Sequence, residues 1–154
     1  MVSRVETVAG TTISISAAQP ATFDGAGYAA LSWTAIAEIT DGGDHGREYA
    51  EVTHTPIASR GVQKFKGSFN EGTKTLQLAL DGDDAGQVIA KAALVSDNDY
   101  SFRVTYQGGD KDYFQAKVMS FKKAASSVDS IRSASMSLSI TTTSAGVGIV
   151  EVIA

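Results

Sequence analysis

Hydrophobic and polar positions alternate most regularly along Arg132–Thr142, where Ala134, Met136, Leu138 and Ile140 are interleaved with Ser133, Ser135, Ser137, Ser139 and Thr141. A period of two sends the apolar side chains to one face of a strand and the hydroxyls to the other. At roughly 3.3 Å per residue the stretch would extend about 35 Å, whereas a usual strand has about 5–6 residues. The pattern predicts a long sheet whose second face is wet, small and uncharged. A catalytic face would gather acids, bases or metal ligands; this one gathers hydroxyls.

Shorter alternations predict further strands. Thr11–Ser16 turns Ile13 and Ile15 inward, and part of Tyr28–Thr40 reads as a longer strand, with Leu31, Trp33, Ala35, Ala37 and Ile39 on one face. Val62–Phe69, Thr73–Leu80, Asp99–Tyr106, Tyr113–Lys122 and Gly146–Ile153 follow, with Leu76, Leu78 and Leu80 sharing one face and Tyr100, Phe102, Val104 and Tyr106 another. Asp24-Gly25, Asp81-Gly82 and Gly108-Gly109 are turn signals between them. One helix is predicted over residues 84–96. Asp83 and Asp84 with Gln87 supply its N-terminal cap, and Val88, Ile89, Ala92 and Val95 form an apolar stripe at helical spacing. Residues 41–61, rich in glycine and holding Pro56 and both histidines, sustain no period. They read as a long loop, of the kind that in compact domains is functional or becomes ordered on a partner.

About eight strands and one helix, in the order strands, helix, strands, argue against an alternating nucleotide-binding sheet. They predict a mainly β fold: an antiparallel β-sandwich or barrel with one flanking α-helix, a single domain over residues 1–154. A chain of 154 residues can bury one core. No run approaches the ~18 apolar residues of a membrane helix, so no membrane insertion is expected, and Met1–Glu6 shows no signal-peptide pattern. With no cysteine there is neither disulfide nor thiol chemistry. The net charge of −4 and the scattered cations, Lys64/Lys66 and Lys122/Lys123 being the nearest pairs, argue against a face that grips phosphate.

Candidate chemistry is sparse. His45 and His54 lie among Asp41, Asp44, Glu48 and Glu51 but lack the spacing of a metal site. Calcium-loop readings of Asp41–Val52 and Asp81–Ala92 both miss the closing glutamate. Neither a phosphate-binding glycine loop nor a nucleophile elbow is present. No metal, no cofactor and no catalytic residue is expected; the chain reads as a non-enzyme.

Three segments together carry a resemblance: Thr22–Thr40 with Tyr28, Leu31 and Trp33; Lys66-Gly67-Ser68-Phe69-Asn70-Glu71-Gly72; and Asp83-Asp84-Ala85-Gly86-Gln87 at the helix start. Their order and content resemble the major tail tube proteins of long-tailed, non-contractile bacteriophages of the lambda type. The resemblance implies a tail-tube-like β-sandwich whose copies form hexameric rings stacked into a hollow tube that conducts viral DNA. It implies a virion location after synthesis in the host cytoplasm. Implied partners are further copies of the chain, a tape-measure protein, tail terminator and tail-tip proteins, and DNA passing without specific binding. The family's long loop reaches neighbouring subunits and maps onto 41–61, making Asp44, His45, Arg47, Glu48, Tyr49, His54 and Arg60 expected interface residues. Ser133, Ser135, Ser137 and Ser139 are the expected lumen-facing set. Alternatives are a tube component of a contractile tail or type VI-like secretion machine, and a monomeric β-sandwich binding module.

Overall fold

A computed structural model describes residues 3–154; Met1 and Val2, which open the stretch read above for a leader, lie outside the described residues. The elements are β1 (Thr12–Ser16), α1 (Gly25–Ala29), β2 (Thr34–Ala35), β3 (Ile39–Asp41), β4 (Glu48–His54), β5 (Gln63–Asn70), β6 (Thr73–Ala79), α2 (Ala85–Leu94), β7 (Tyr100–Thr105), β8 (Lys111–Ala124), β9 (Ser133–Thr141) and β10 (Val150–Val152). The fold is mainly β and antiparallel, curled into a half-barrel. The eight-stranded sheet runs β2-β1-β7-β8-β9-β6-β3, with β10 also on β8. β8 is long enough to seat two strands end to end on one edge: β9 along Gln115–Ala124 and β10 along Lys111–Tyr113.

The period-two patterns translate directly into burial. Ala134, Met136, Leu138 and Ile140 join Ile13, Ile15, Leu76, Leu78, Phe102, Val104, Phe114, Ala116 and Val118 in burial. Phe102 and Phe114, paired across β7 and β8, stack with ring centroids 5.6 Å apart. Tyr100 and Tyr106 pack against this core from the same strand face, as the alternation predicts.

Two predictions fail for identifiable reasons. No long strand forms within residues 28–40. Asp24 caps a short helix by accepting from Gly27 N at 2.7 Å, and extended structure is confined to β2 and β3. Tyr28 and Trp33 instead build a small second core on the other side of the sheet. Tyr28 stacks on Tyr113 at 5.1 Å, Trp33 lies 5.8 Å from Tyr113, and Trp33 Nε1 donates to Tyr28 O. The Tyr28 hydroxyl accepts from Gln115, and burial pushes its pKa up against that hydrogen bond.

Of the expected apolar stripe of α2, Ile89 packs against the core, whereas Val88, Ala92 and Val95 face outward. Gly86, Gln87, Ala90 and Ala93 are buried, while Val88 is 51% and Val95 86% exposed. A Cβ on Gly86 would approach Ile36 Cα to 2.6 Å, so the helix approaches the sheet through its smallest residues. Asp84 is the observed cap; its carboxylate accepts from Gln87 N and from Ala37 N. Gln87 is fully buried and ties the helix to the β2–β3 connection and to the end of β6, its amide donating to Ala37 O and Ala79 O and accepting from Asp81 N.

Candidate assembly surfaces

The segment 41–61 is not a simple loop, because β4 lies within it. β4 and β5 form a two-stranded sheet of their own, apart from the main one. All seven residues of β4 are exposed, as are most of β5. Val52 pairs with Phe65 and Tyr49 with Phe69 across the ladder; the register shift between Tyr49 and Glu51 adds one residue to β5, and Tyr49 and Val52, three apart on β4, point to opposite sides. Glu51, Lys64 and Lys66 lie on the side of Tyr49 and Phe69, with Lys66 Nζ 4.8 Å from the centre of the Tyr49 ring. The hairpin is therefore an amphipathic arm: the Val52/Phe65 side, 50% and 55% exposed, has no cover among the described residues, and the side behind it carries Glu51, Lys64 and Lys66. An isolated two-stranded hairpin is at best marginally stable in water.

The root of the arm, by contrast, is tightly held. Arg47 Nε donates to Glu71 Oε1 at 2.7 Å, Glu71 is 2% exposed, and the guanidinium lies 3.8 Å above the Phe69 ring. Tyr49 and then Glu71, through hydrogen bonds, raise the pKa of Arg47 further. His45, just before the arm, is half-buried over Phe114. Its Nε2 lies 2.7 Å from Asp112 Oδ2 and its Nδ1 3.0 Å from Lys74 Nζ. A neutral ring that donates from Nε2 and accepts the Lys74 ammonium at Nδ1 satisfies both contacts. Tyr106 adds a 2.9 Å hydrogen bond to Asp112. Burial tends to raise the Asp112 pKa, but the hydrogen bonds from His45 and Tyr106 and the charge of Lys74 outweigh it and hold the carboxyl below its usual range. Burial lowers the Lys74 pKa, against the pull of Asp112, Asp44 and Asp41. Tyr106 is raised by burial and by Asp112. Both nitrogens of His45 are thus occupied by protein, and the cluster is a latch joining the arm's root to β6 and β8.

The residues expected at the interface divide accordingly. Arg47 and His45 secure the root; Glu48 and Tyr49 begin the arm; His54 ends β4, and exposed Arg60 lies between the strands. His45 and His54 are not brought together: β4 carries His54 away from the buried cluster. Asp44 is exposed at the mouth of a cavity shared with Glu71, Asp112 and Glu151. Sequence reasoning missed Glu71, Lys74 and Asp112, which become neighbours only when the sheet forms. An ionisable lysine among the leucines of β6 was the available signal.

Ser133, Ser135, Ser137 and Ser139 lie half-buried on the sheet face opposite the main core. Their ladder partners there are Ala79, Gln77, Thr75 and Thr73 on β6 and Ala124, Lys122, Ser120 and Lys117 on β8. Gln77 Nε2 donates to Ser135 Oγ, and Lys117 is neutralised by Asp99. The face is lined by hydroxyls, an amide and two lysines.

No family model and no curated protein matches the chain. A chain in the cryo-EM structure of the anti-feeding prophage (AFP) baseplate aligns with a TM-score of 0.64, at 8% identity, over 92% of this chain and 94% of that one. A chain in the cryo-EM structure of an extracellular contractile injection system, the PVC sheath/tube terminator in its extended state, aligns with a TM-score of 0.63, at 11% identity, over 99% and 100%. At such identities the likeness shows a shared fold: the half-barrel is of the tail-tube-like kind.

Proposed function

We propose that the protein is a structural, non-catalytic subunit of a tail tube, whose copies close into hexameric rings that stack into a hollow duct. The amphipathic β4–β5 arm, exposed on both sides and held firmly only at its root, carries this reading. Such a hairpin gains its stability by lying on another surface, and each apolar side chain covered contributes about 1.5–3 kcal/mol. The half-barrel supports it as well. Small barrels fill their own interior, and open aqueous channels need on the order of 16 strands, so a duct requires several copies of this sheet. The Ser133–Ser139 face is the proposed lumen. Its small hydroxyls offer DNA or other cargo no dense array of cations to adhere to.

The sequence resemblance favours a lambda-type virion tail, with a tape-measure protein inside and terminator and tip proteins at the ends. The structural neighbours favour the tube of a contractile or injection particle. Both readings make the same first prediction. Negative-stain microscopy and light scattering across a concentration series should show rings or hollow tubes. Val52→Asp combined with Phe65→Asp should leave the circular dichroism spectrum unchanged and abolish assembly. A wild-type protein that stays monomeric at every concentration would overturn the function. A double variant that assembles normally would remove the arm from the interface.

A further inference from the structure

The strands β8 and β9 carry cavities of opposite charge at their two ends. Where β8 finishes and β9 begins, a cavity of about 370 Å3 is lined by Lys91, Lys123 and Arg132 among small and apolar residues, with no carboxylate in its wall. Among the described residues none of these three cations forms an ion pair. Lys91 leans over the Phe121 ring at 5.6 Å, and Lys123 and Arg132 are exposed. The nearby Asp81 is turned to its own loop, accepting from Asp83 N.

The other end is acidic. A cavity of about 630 Å3 is lined by Asp44, Glu71, Asp112 and Glu151, against Arg47 and His45. Asp112 and Glu71 are committed internally to His45 and Arg47. Asp44 and Glu151 are exposed at its rim and form no ion pair among the described residues. Asp112 and Lys123 lie on the same strand, about 35 Å apart at the usual rise.

We infer that the Lys91/Lys123/Arg132 cavity is the docking site for the acidic end of a second copy of this chain, with Asp44 and Glu151 supplying its counter-charges. Covering three unpaired cations with a neutral surface would be costly, so the occupant must bring carboxylates. The chain presents exposed carboxylates at the opposite end of the same strands. A contact between two different ends of one molecule repeats without closing and builds a stack. The inference rests on the tail-tube reading and deepens it. The arm would close the ring, and the charged ends would set one ring on the next.

The test uses the full chain in three variants: Lys123→Glu/Arg132→Glu, Asp44→Lys/Glu151→Lys, and the two combined. All four positions are exposed, which spares the core. Each double variant should form rings that do not stack, raising the concentration needed for tubes by more than about tenfold. An equimolar mixture of the two should recover tubes, since one junction pairs the two intact ends and the next the two exchanged ends, and the combined variant should recover tubes for the same reason. Double variants that stack like the wild type would overturn the inference, as would a combined variant that fails to recover. Normal stacking with a loss of duplex DNA binding, measured by fluorescence anisotropy, would instead assign the basic cavity to nucleic acid. Absence of rings in the wild type itself would count against the tail-tube reading, and the inference would fall with it. Rings that form but stack without regard to these charges would overturn the inference alone.

Discussion

At the scale of single residues the molecule depends on a few charges placed where hydrocarbon would be expected. Lys74 shares a strand face with Leu76 and Leu78 and is only 2% exposed. Its ammonium is tolerated because His45 accepts from it and Asp112 balances it. The two pKa shifts act in different pH ranges. Asp112 is held below its ordinary 3.8, so its stabilising contribution is present above that value and disappears as pH falls through the folded-state pKa. Lys74 is held below its ordinary 10.5, so keeping it charged costs stability at neutral pH, a cost that disappears as pH rises past that value. Asp112→Asn should therefore lower stability by about 1.5–3 kcal/mol at neutral pH. In urea unfolding the gap from wild type should narrow below pH 3.8. A gap that stays constant with pH would mean packing, not charge, sets the effect.

At the scale of elements, β9 shows what alternation can predict. Leu138 is wholly buried, and Leu138→Ala should cost roughly 2–5 kcal/mol. Ser137, on the other face, is half-buried, and Ser137→Ala should change stability by no more than about 0.5 kcal/mol. Thermal or chemical denaturation of both variants checks the pair, and similar losses would contradict the two-faced strand. Helix α2 shows where a pattern misleads. Hydrophobic periodicity ranks Val88, Ile89, Ala92 and Val95 as the core stripe, and of these Ile89 packs against the core. Close approach to a sheet rewards small size instead, and Gly86, Ala90 and Ala93 at the same spacing lie inward. The β4–β5 arm was missed in part because its register shift breaks the alternation, and because a hairpin exposed on both sides has no core to impose one.

At the scale of the whole molecule, stability and assembly should be linked. Any surface that binds only folded copies stabilises them by mass action. The melting temperature should therefore rise with protein concentration in the wild type and stay flat in the Val52→Asp/Phe65→Asp variant. Differential scanning calorimetry over a concentration series measures both. A flat wild-type response would separate folding from association.

Composition and alternation by themselves determined the mainly β class, the core faces of β1, β6, β7 and β9, the hydroxyl face of β9 and the capped start of α2. Each depends on neighbours within a few residues, which a linear pattern records. Only the tertiary structure decided which face of α2 is inward and that Tyr28 and Trp33 form a second core. It also brought His45, Lys74, Tyr106 and Asp112 into one cluster and separated the acidic and basic ends of the sheet. Those features arise from contacts between distant segments, whose energies depend on distance and burial, quantities that spacing along the chain does not encode.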